Sequence, residues 1–214
     1  MLTSETDHVS SPDIAIILQP LPYVELLEKR PLSLIDLVVM HCTELPDMTM
    51  AREYGERVLY EAGTGASGHY YIDRDGSIYE YVNPVHTANH TRGYNPRSVG
   101  IEMVNIGRYP DWLDSTNQVM TQTYTAGQIS ALKKLLLLIK LECPNLKFIA
   151  GHEDLDVAMV PASDNADKQV FRKRDPGPHF PWQEILAAKP GHRYKICFWW
   201  PGIGAGIICR AANR

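Results

Sequence analysis

The sequence lacks an apolar run long enough to cross a membrane. A spanning helix needs about 20 consecutive, mostly apolar residues, and every uninterrupted apolar run here is much shorter. The N-terminus, MLTSETDHVSSPDIAII, also lacks a basic region that leads into an apolar stretch and a cleavage site. As written, the chain therefore carries no signal peptide, and we expect either a cytoplasmic protein or one whose export signal was removed.

Excess basic charge and closely spaced cysteines are missing as well. Lys and Arg total 21 against 25 Asp and Glu, a net charge of -4, so no basic field is available to hold a nucleic acid or an anionic membrane. The four cysteines include no CxxC pair and no dense disulfide framework, which leaves the redox compartment open. With 44% hydrophobic and 21% charged residues in a 214-residue chain, the composition predicts one ordinary globular domain.

Short apolar runs rich in β-branched residues predict the strands. Residues 35–40, IDLVVM, end at His41, and residues 98–104 read SVGIEMV; both patterns indicate strands buried on both faces. Residues 147–150 predict a further short strand that delivers His152 at its end. Two aromatic runs around a DRDG turn, in HYYIDRDGSIYEYV, predict a β-hairpin.

Helical patterns lie between these strands. Thr125 and Gln128 have capping-box spacing ahead of a one-sided apolar stripe, which predicts a helix. Residues 47–60 have looser helical spacing interrupted by Gly55, and the polar stretch 154–169 predicts a surface loop. The alternation indicates an α/β fold in which helices flank one central sheet, and the sheet is mixed because the hairpin adds an antiparallel pair.

Three residues are candidates for a metal site. His41 and His152 each follow a predicted strand, at the sheet edge where α/β folds commonly place their active sites. Asp175 lies in RKRDPGP, where two prolines and a glycine fix the backbone after an acid flanked by three bases. Two histidines and a carboxylate would satisfy a catalytic zinc site, which takes three protein ligands. Alternatively, the Asp175 segment is a solvated loop whose charges neutralise one another.

Five segments, taken together and in order, resemble the type 2 N-acetylmuramoyl-L-alanine amidases, which are relatives of the peptidoglycan recognition proteins. The resemblance runs from about Leu34 to Trp182, and the segments are LVVMHCTE, GHYYIDRDGSIYEYV, HTRGYNPRSVGIEMVN, AGHEDL and KRDPGPHFPW. It implies hydrolysis of the amide bond between N-acetylmuramic acid and L-alanine in peptidoglycan or its fragments. It also implies a periplasmic or cell-wall location if an export signal was removed.

Carried over residue by residue, the resemblance makes His41, His152 and Asp175 the ligands of one zinc ion per chain. Glu102 falls on the family's catalytic glutamate and would move the proton, while Lys173 would face the negative charge that develops on the carbonyl oxygen. His90 falls where relatives carry a histidine lining the substrate cleft, as a substrate contact or transition-state donor. Some relatives place a tyrosine where this chain has Gly68, so Glu102 must carry the acid–base role.

Other interpretations of these residues remain open. Without the resemblance, Glu102 could pair structurally with Arg92 or Arg97, and Lys173 could be a surface lysine. A non-catalytic peptidoglycan-binding module is the main alternative function, but such modules usually lose a metal ligand, and this chain keeps all three candidates. A zinc peptidase of another architecture is not favoured, because no HExxH sequence follows His152.

The remaining expectations concern the limits of the domain and the other histidines. We expect an N-terminal extension over 1–30, the zinc amidase domain over 31–188, and a tail of unknown role over 189–214. His69 is expected in the core or behind the ligands, and His86 and His179 at the surface or in the cleft. Cys42 should be buried on the face opposite His41. The expected partner is peptidoglycan or a muropeptide, and the sequence leaves the oligomeric state open.

Overall fold

The computed structural model describes residues 13–186, 195–198 and 208–210. The strands in this part of the chain are β1 Ile16–Leu18, β2 Leu37–Cys42, β3 Tyr70–Ile72, β4 Ile78–Glu80, β5 Ser98–Met103, β6 Phe148–Gly151, β7 Met159–Pro161, β8 Gln169–Phe171, β9 Lys195–Phe198 and β10 Ile208–Arg210. The α-helices among the described residues are α1 Met48–Glu56, α2 Ala126–Glu142, α3 His152–Leu155 and α4 Trp182–Leu186, and short 3-10 turns accompany them.

Eight strands form one mixed sheet in the order β1-β4-β3-β5-β2-β6-β9-β10. Its centre is parallel, because β2 pairs with both β5 and β6 in the same direction, while the hairpin of β3 and β4 is antiparallel. The carboxyl ends of β2, β5 and β6 therefore lie side by side at one edge. Side chains at the end of any of these strands can reach a common point there.

Helix α2 covers one face of this sheet. Its N-terminus carries the predicted capping box, in which Thr125 accepts from the Gln128 backbone N–H and the Gln128 side chain accepts from that of Thr125. The helix presents an apolar stripe to alternate residues of the central strands, and the resulting core is almost completely buried. It includes Leu132, Leu135 and Ile139 from the helix and Val38, Met40, Val99, Ile101 and Met103 from the sheet.

The opposite face is covered more thinly, and the N-terminal segment contributes to it. Leu21, Tyr23, Val24 and Leu27 are buried in a second apolar cluster that also contains Ala51 of α1. The cluster further includes residues of the hairpin region, among them Tyr71 and Tyr81. Among the described residues, no helix is both long enough and apolar enough to cross a bilayer.

Most predicted elements are confirmed, with shifted ends. The strand predicted over 35–40 is β2, which continues through Cys42 so that His41 lies inside it; Cys42 is buried, as expected. The helix predicted over 47–60 stops at Glu56, and Gly55 lies inside it next to Leu21 rather than ending it.

Two further expectations concern the loop over 154–169 and the tail over 189–214. The loop prediction is partly wrong, since Met159–Pro161 pairs antiparallel with Gln169–Phe171 and forms a small separate sheet. The apolar residues Met159 and Val160 form too short a run to predict a strand there. In the tail, β9 pairs with β6 and β10 with β9, and the rest of the tail, like residues 1–12, lies outside the described residues.

Candidate active site

His41, His152 and Asp175 meet at the carboxyl edge of the parallel strands. His41 is the penultimate residue of β2, His152 begins α3 directly after β6, and Asp175 comes from the loop after β8. Each is at most 3% exposed. The Oδ2 atom of Asp175 lies 2.8 Å from Nδ1 of His41 and 3.0 Å from Nδ1 of His152. Residues distant in the sequence therefore present three ligand atoms within 4.8 Å of one another.

The loop that carries Asp175 is fixed by contacts on both sides. The backbone N–H of Glu153 in α3 donates to the Asp175 carbonyl at 2.9 Å, and the Tyr124 hydroxyl donates to the Pro176 carbonyl at 2.7 Å. Gly151 makes room for the loop, because a Cβ atom there would lie 2.9 Å from Cδ of Pro176. The interpretation of this segment as a solvated loop is therefore wrong, since Asp175 is buried and held in place.

The three side chains fit a metal ion. Within the described residues, Oδ1 of Asp175 is buried without a hydrogen-bond partner, and such an orphan atom is rare unless a ligand or water meets it. Burial, followed by the neighbouring His152, lowers the pKa of His41 to about 4, so its ring is neutral as a metal ligand requires. Two imidazoles and one carboxylate form a ligand set that catalytic zinc sites use.

The charge of Asp175 is set by its surroundings. Burial alone would raise the pKa of this carboxyl group, but His152, His41 and Lys173 outweigh it and hold the pKa well below its usual value. These neighbours therefore favour the ionised form of Asp175. An anionic oxygen ligand is thus available without a proton having to leave first.

Glu102 lies beside His41 because the two residues are paired in the parallel register of β5 and β2. Its Oε1 is 3.9 Å from Nδ1 of His41. Burial, reinforced by the negative charge of Asp175, raises the pKa of Glu102 to about 8. A carboxyl group that titrates near neutrality is suited to accept a proton and release it again.

The sequence had left open whether Glu102 pairs with an arginine instead. Arg97 donates from Nε to Asp36 at 2.6 Å, and Arg92 is exposed. The side chain of Glu102 packs over Gly68, where a Cβ atom would lie 2.8 Å from Cγ of Glu102. A tyrosine at position 68 would therefore displace Glu102, which explains in physical terms why the two arrangements exclude each other in this chain.

A cleft of about 430 Å³ opens over the three ligand candidates. Glu102 and Lys173 line it together with aromatic side chains from α1 and from the segment after β5, namely Tyr54 and Trp112. The neighbour of Lys173, Arg172, is ion-paired with Asp156. Lys173 itself lines the cleft, and its positive charge lowers the pKa of both Asp175 and Glu102.

His90 contacts the Nε2 side of the His41 ring and also lines the cleft. Its Nδ1 is 3.0 Å from Nε2 of His41 and 3.0 Å from Oγ1 of Thr91, and its Nε2 is 3.2 Å from Oγ of Ser98. Burial, with the nearby His41, lowers the pKa of His90 well below its ordinary value. Protein atoms thus already contact both ring nitrogens, and the role of His90 towards substrate stays a prediction.

The other histidines separate into core and surface residues. His69 is fully buried, and its Nδ1 accepts from the Gly100 backbone N–H at 3.0 Å, which confirms its structural place. His179 is exposed. The expectation that His86 lies at the surface or in the cleft is wrong, because the N-terminal segment, bridged to it at Lys29, covers it and leaves it 6% exposed.

Sequence reasoning missed several residues that shape the site. Ser98 and Gly100 share a face of β5 with Glu102, and this period-2 spacing is the signal that would have identified them. The missed ion pair of Glu44 and Arg108 is buried beside the cleft, with Arg108 Nε donating to Glu44 Oε1 at 2.7 Å. Nothing in the local sequence predicts that pairing, because 64 positions separate the two residues.

Comparisons with known proteins identify the family and the fold. Residues 29–178 match the family model described as N-acetylmuramoyl-L-alanine amidase. No curated protein matches the sequence. Similar solved structures include the endolysin LysCS, an N-acetylmuramoyl-L-alanine amidase from Clostridium intestinale URNW, at 19% identity and a TM-score of 0.56, with 83% of this chain and 97% of that chain covered.

Two further similar structures contain muropeptides. AmpDh3 from Pseudomonas aeruginosa, in complex with anhydromuramic pentapeptide, is 25% identical with a TM-score of 0.54 over 88% of this chain and 66% of that chain. The amidase AmiD from E. coli, in complex with anhydro-N-acetylmuramic acid-L-Ala-D-gamma-Glu-L-Lys, is 24% identical with a TM-score of 0.50 over 71% and 56%. The likenesses below 25% identity show a shared fold.

Proposed function

Because this chain belongs to the N-acetylmuramoyl-L-alanine amidase family, we propose that it hydrolyses the amide bond between N-acetylmuramic acid and L-alanine with the help of one zinc ion. The observation that carries the proposal is the convergence of Nδ1 of His41, Nδ1 of His152 and Oδ2 of Asp175 at the base of the cleft. We further propose that residues 31–188 form the catalytic domain, since every candidate side chain lies within that range.

Zinc at this site would polarise the amide carbonyl and make a water molecule more acidic. Glu102, next to His41, takes a proton from the attacking water as its oxygen adds to the carbonyl carbon. Glu102 then delivers that proton to the nitrogen of L-alanine as the carbon–nitrogen bond breaks, which gives a free carboxyl group and a free amine. A pKa near neutrality lets one carboxyl group serve in both steps.

Lys173 has an electrostatic role in this scheme. Its ammonium group faces the same cleft as Glu102, and its charge stabilises the negative oxygen that forms on the carbonyl during attack. Lys173 thus acts on the reacting atoms as a fixed positive charge, without itself exchanging a proton.

The proposed substrates are muropeptides, either released fragments or parts of intact peptidoglycan. The ligands named for AmpDh3 and AmiD carry anhydromuramic ends, and a cleft of about 430 Å³ is in the size range that accommodates small ligands. We therefore propose that a muramic acid residue and the first residues of its stem peptide fill the cleft. Aromatic walls at Tyr54 and Trp112 would pack against the substrate.

Product identification tests the proposal. Purified muropeptides with ordinary and with anhydro muramic ends are digested with the zinc-loaded protein, and the products are identified by mass spectrometry. We expect intact stem peptides that begin at L-alanine, and metal analysis should find about one zinc per chain. Cleavage at any other bond would contradict the assigned reaction. Muropeptide binding without any product from the loaded protein would instead support the non-catalytic binding module.

A further inference from the structure

The two ring nitrogens of His41 have different neighbours. Nδ1 points towards Asp175 and His152, the other ligand candidates, whereas Nε2 is 3.0 Å from Nδ1 of His90 and 3.3 Å from Oγ1 of Thr91. A neutral imidazole carries one proton, and only the nitrogen without it can bind a metal. Which nitrogen of His41 holds the proton therefore decides whether the site can form.

Asp175 favours the wrong tautomer while the metal is absent. Its Oδ2 lies 2.8 Å from Nδ1 of His41, so a proton on Nδ1 would make a good hydrogen bond to a carboxylate. A hydrogen-bond acceptor beside Nε2 would oppose this, because a hydrogen bond from Nε2–H stabilises the tautomer that leaves Nδ1 unprotonated. Of the two groups beside Nε2, Nδ1 of His90 accepts only when His90 carries its proton on Nε2, and the Thr91 hydroxyl can accept or donate.

Ser98 determines the direction of the hydrogen bonds that reach Nε2. The hydroxyl group of Ser98 has one hydrogen, which it donates to the Tyr94 carbonyl at 2.8 Å. Its oxygen must then accept from Nε2–H of His90, at 3.2 Å. A neutral His90 protonated at Nε2 has a bare Nδ1, which can accept from Nε2–H of His41 at 3.0 Å. The Thr91 hydroxyl, 3.0 Å from Nδ1 of His90 and 3.3 Å from Nε2 of His41, is compatible with this direction because it can donate to the first and accept from the second.

We propose that His90, oriented by Ser98, is a positioning residue that keeps the proton of His41 on Nε2 and leaves Nδ1 free to bind zinc. The proposal rests on the metal site of the proposed function and adds a role for residues that do not touch the metal. Metal-bound histidines generally donate their second ring N–H to an outer partner. In this chain that partner is another imidazole, whose own tautomer is set by a serine.

The packing of β5 supports this role. A Cβ atom on Gly100 would lie 2.6 Å from Cγ and 2.7 Å from Nδ1 of His90, so the glycine leaves the space in which the ring lies. His90 is also held by its backbone N–H, which donates to Oδ1 of Asn95 at 3.1 Å. Both ring nitrogens are engaged within the protein, which favours a role in holding His41 over a hydrogen bond to substrate.

Zinc affinity, measured by competition with a chromophoric chelator, tests the proposal. His90→Phe keeps a flat ring but removes the acceptor, and we expect zinc binding to weaken about 10- to 100-fold. His90→Asn, whose side-chain oxygen can take the place of Nδ1, should recover part of that loss. Ser98→Ala should weaken binding less than His90→Phe. His179→Phe makes the same change at an exposed histidine and should leave the affinity unchanged.

Nitrogen-15 NMR of the histidine rings provides a readout that needs no variant. In the zinc-loaded protein we expect protons on Nε2 of both His41 and His90, with Nδ1 of His90 unprotonated. The Nε2–H signal of His41 should exchange with water faster in His90→Phe. A proton on Nδ1 of His90 in the wild-type protein would overturn the proposal, because that atom would then donate rather than accept.

The possible failures can be told apart. If the wild-type protein takes up no zinc, the metal site itself fails and the proposed function with it. If the wild-type protein binds zinc and a folded His90→Phe variant binds it equally well, only the role of His90 is overturned. Circular dichroism of the metal-free variants establishes that they are folded before the affinities are compared.

Discussion

The two faces of the central sheet use the same strands for different purposes. On β5, Val99, Ile101 and Met103 point into the core beneath α2, while Ser98, Gly100 and Glu102 point to the face that carries the cleft. On β2, Met40 belongs to the core and His41 to the cleft. Because successive side chains of a strand point to opposite faces, residues that stabilise the core alternate with residues that form the cleft.

This separation has a testable meaning. Substitutions on the α2 face should change the free energy of unfolding and leave the turnover of folded molecules unaffected. Substitutions on the cleft face should lower the turnover of folded molecules and leave the free energy of unfolding unaffected. The predictions that follow begin with the largest expected effect.

The strongest test of the cleft face is Asp175→Asn. The amide keeps the size of the side chain but removes the anionic ligand, so zinc content should fall to background. Metal catalysis contributes several kcal/mol to the transition state, so turnover should drop about 1,000-fold or more. Metal analysis and muropeptide hydrolysis measure the two effects. Retention of one zinc per chain would show that Asp175 is not a ligand.

Glu102→Gln tests whether proton transfer can be separated from metal binding. The amide cannot accept a proton from water, so the turnover number should fall about 10²- to 10⁴-fold. Zinc content should stay at the wild-type level, because Glu102 lies outside the ligand set. Initial rates at saturating substrate, compared with metal content, provide the measurement. Turnover within a few-fold of wild type would remove Glu102 from the acid–base role.

Leu135→Ala makes the corresponding test on the α2 face. Leu135 is completely buried against the sheet, and a leucine truncated in such a place destabilises a protein by about 2–5 kcal/mol. Urea denaturation should show this loss, while turnover per folded molecule stays at the wild-type value. A folded variant with impaired turnover would mean that the core and the cleft are coupled, contrary to the separation argued here.

Gly68→Ala should lower activity less than either Asp175→Asn or Glu102→Gln. The added Cβ atom would lie 2.8 Å from Cγ of Glu102, and a displacement of about 1 Å in a catalytic group can cost up to about 100-fold in rate. Gly55→Ala is the matched control, because Gly55 also borders the cleft but its added Cβ meets Leu21 at an ordinary 3.4 Å. Equal rates for both variants would show that Glu102 tolerates displacement.

Much of this arrangement could be predicted from the sequence, and the reason differs between residues. His41 and His152 follow strong strand patterns, so their place at the sheet edge follows from local periodicity. Asp175 lies in a loop with no such pattern, and its place depends on contacts with Glu153 and Tyr124 that only the folded chain brings together.

The partners of His90 were beyond prediction for a related reason. Hydrogen-bond direction depends on which atom of Ser98 meets which nitrogen, and no spacing rule contains that information. Gly68 and Gly100 are similar cases, because their importance lies in the atoms they lack. A glycine in a strand predicts that something approaches closely, but it does not identify the neighbour.

The ligand candidates also have a consequence for folding. His41 and Asp175 are 134 positions apart in the sequence, so a metal ion that joins them acts as a cross-link across most of the domain. Free zinc at 1,000 times its dissociation constant would stabilise the native state by about 4 kcal/mol. The zinc-loaded protein should therefore unfold less often than the metal-free protein and resist proteolysis for longer.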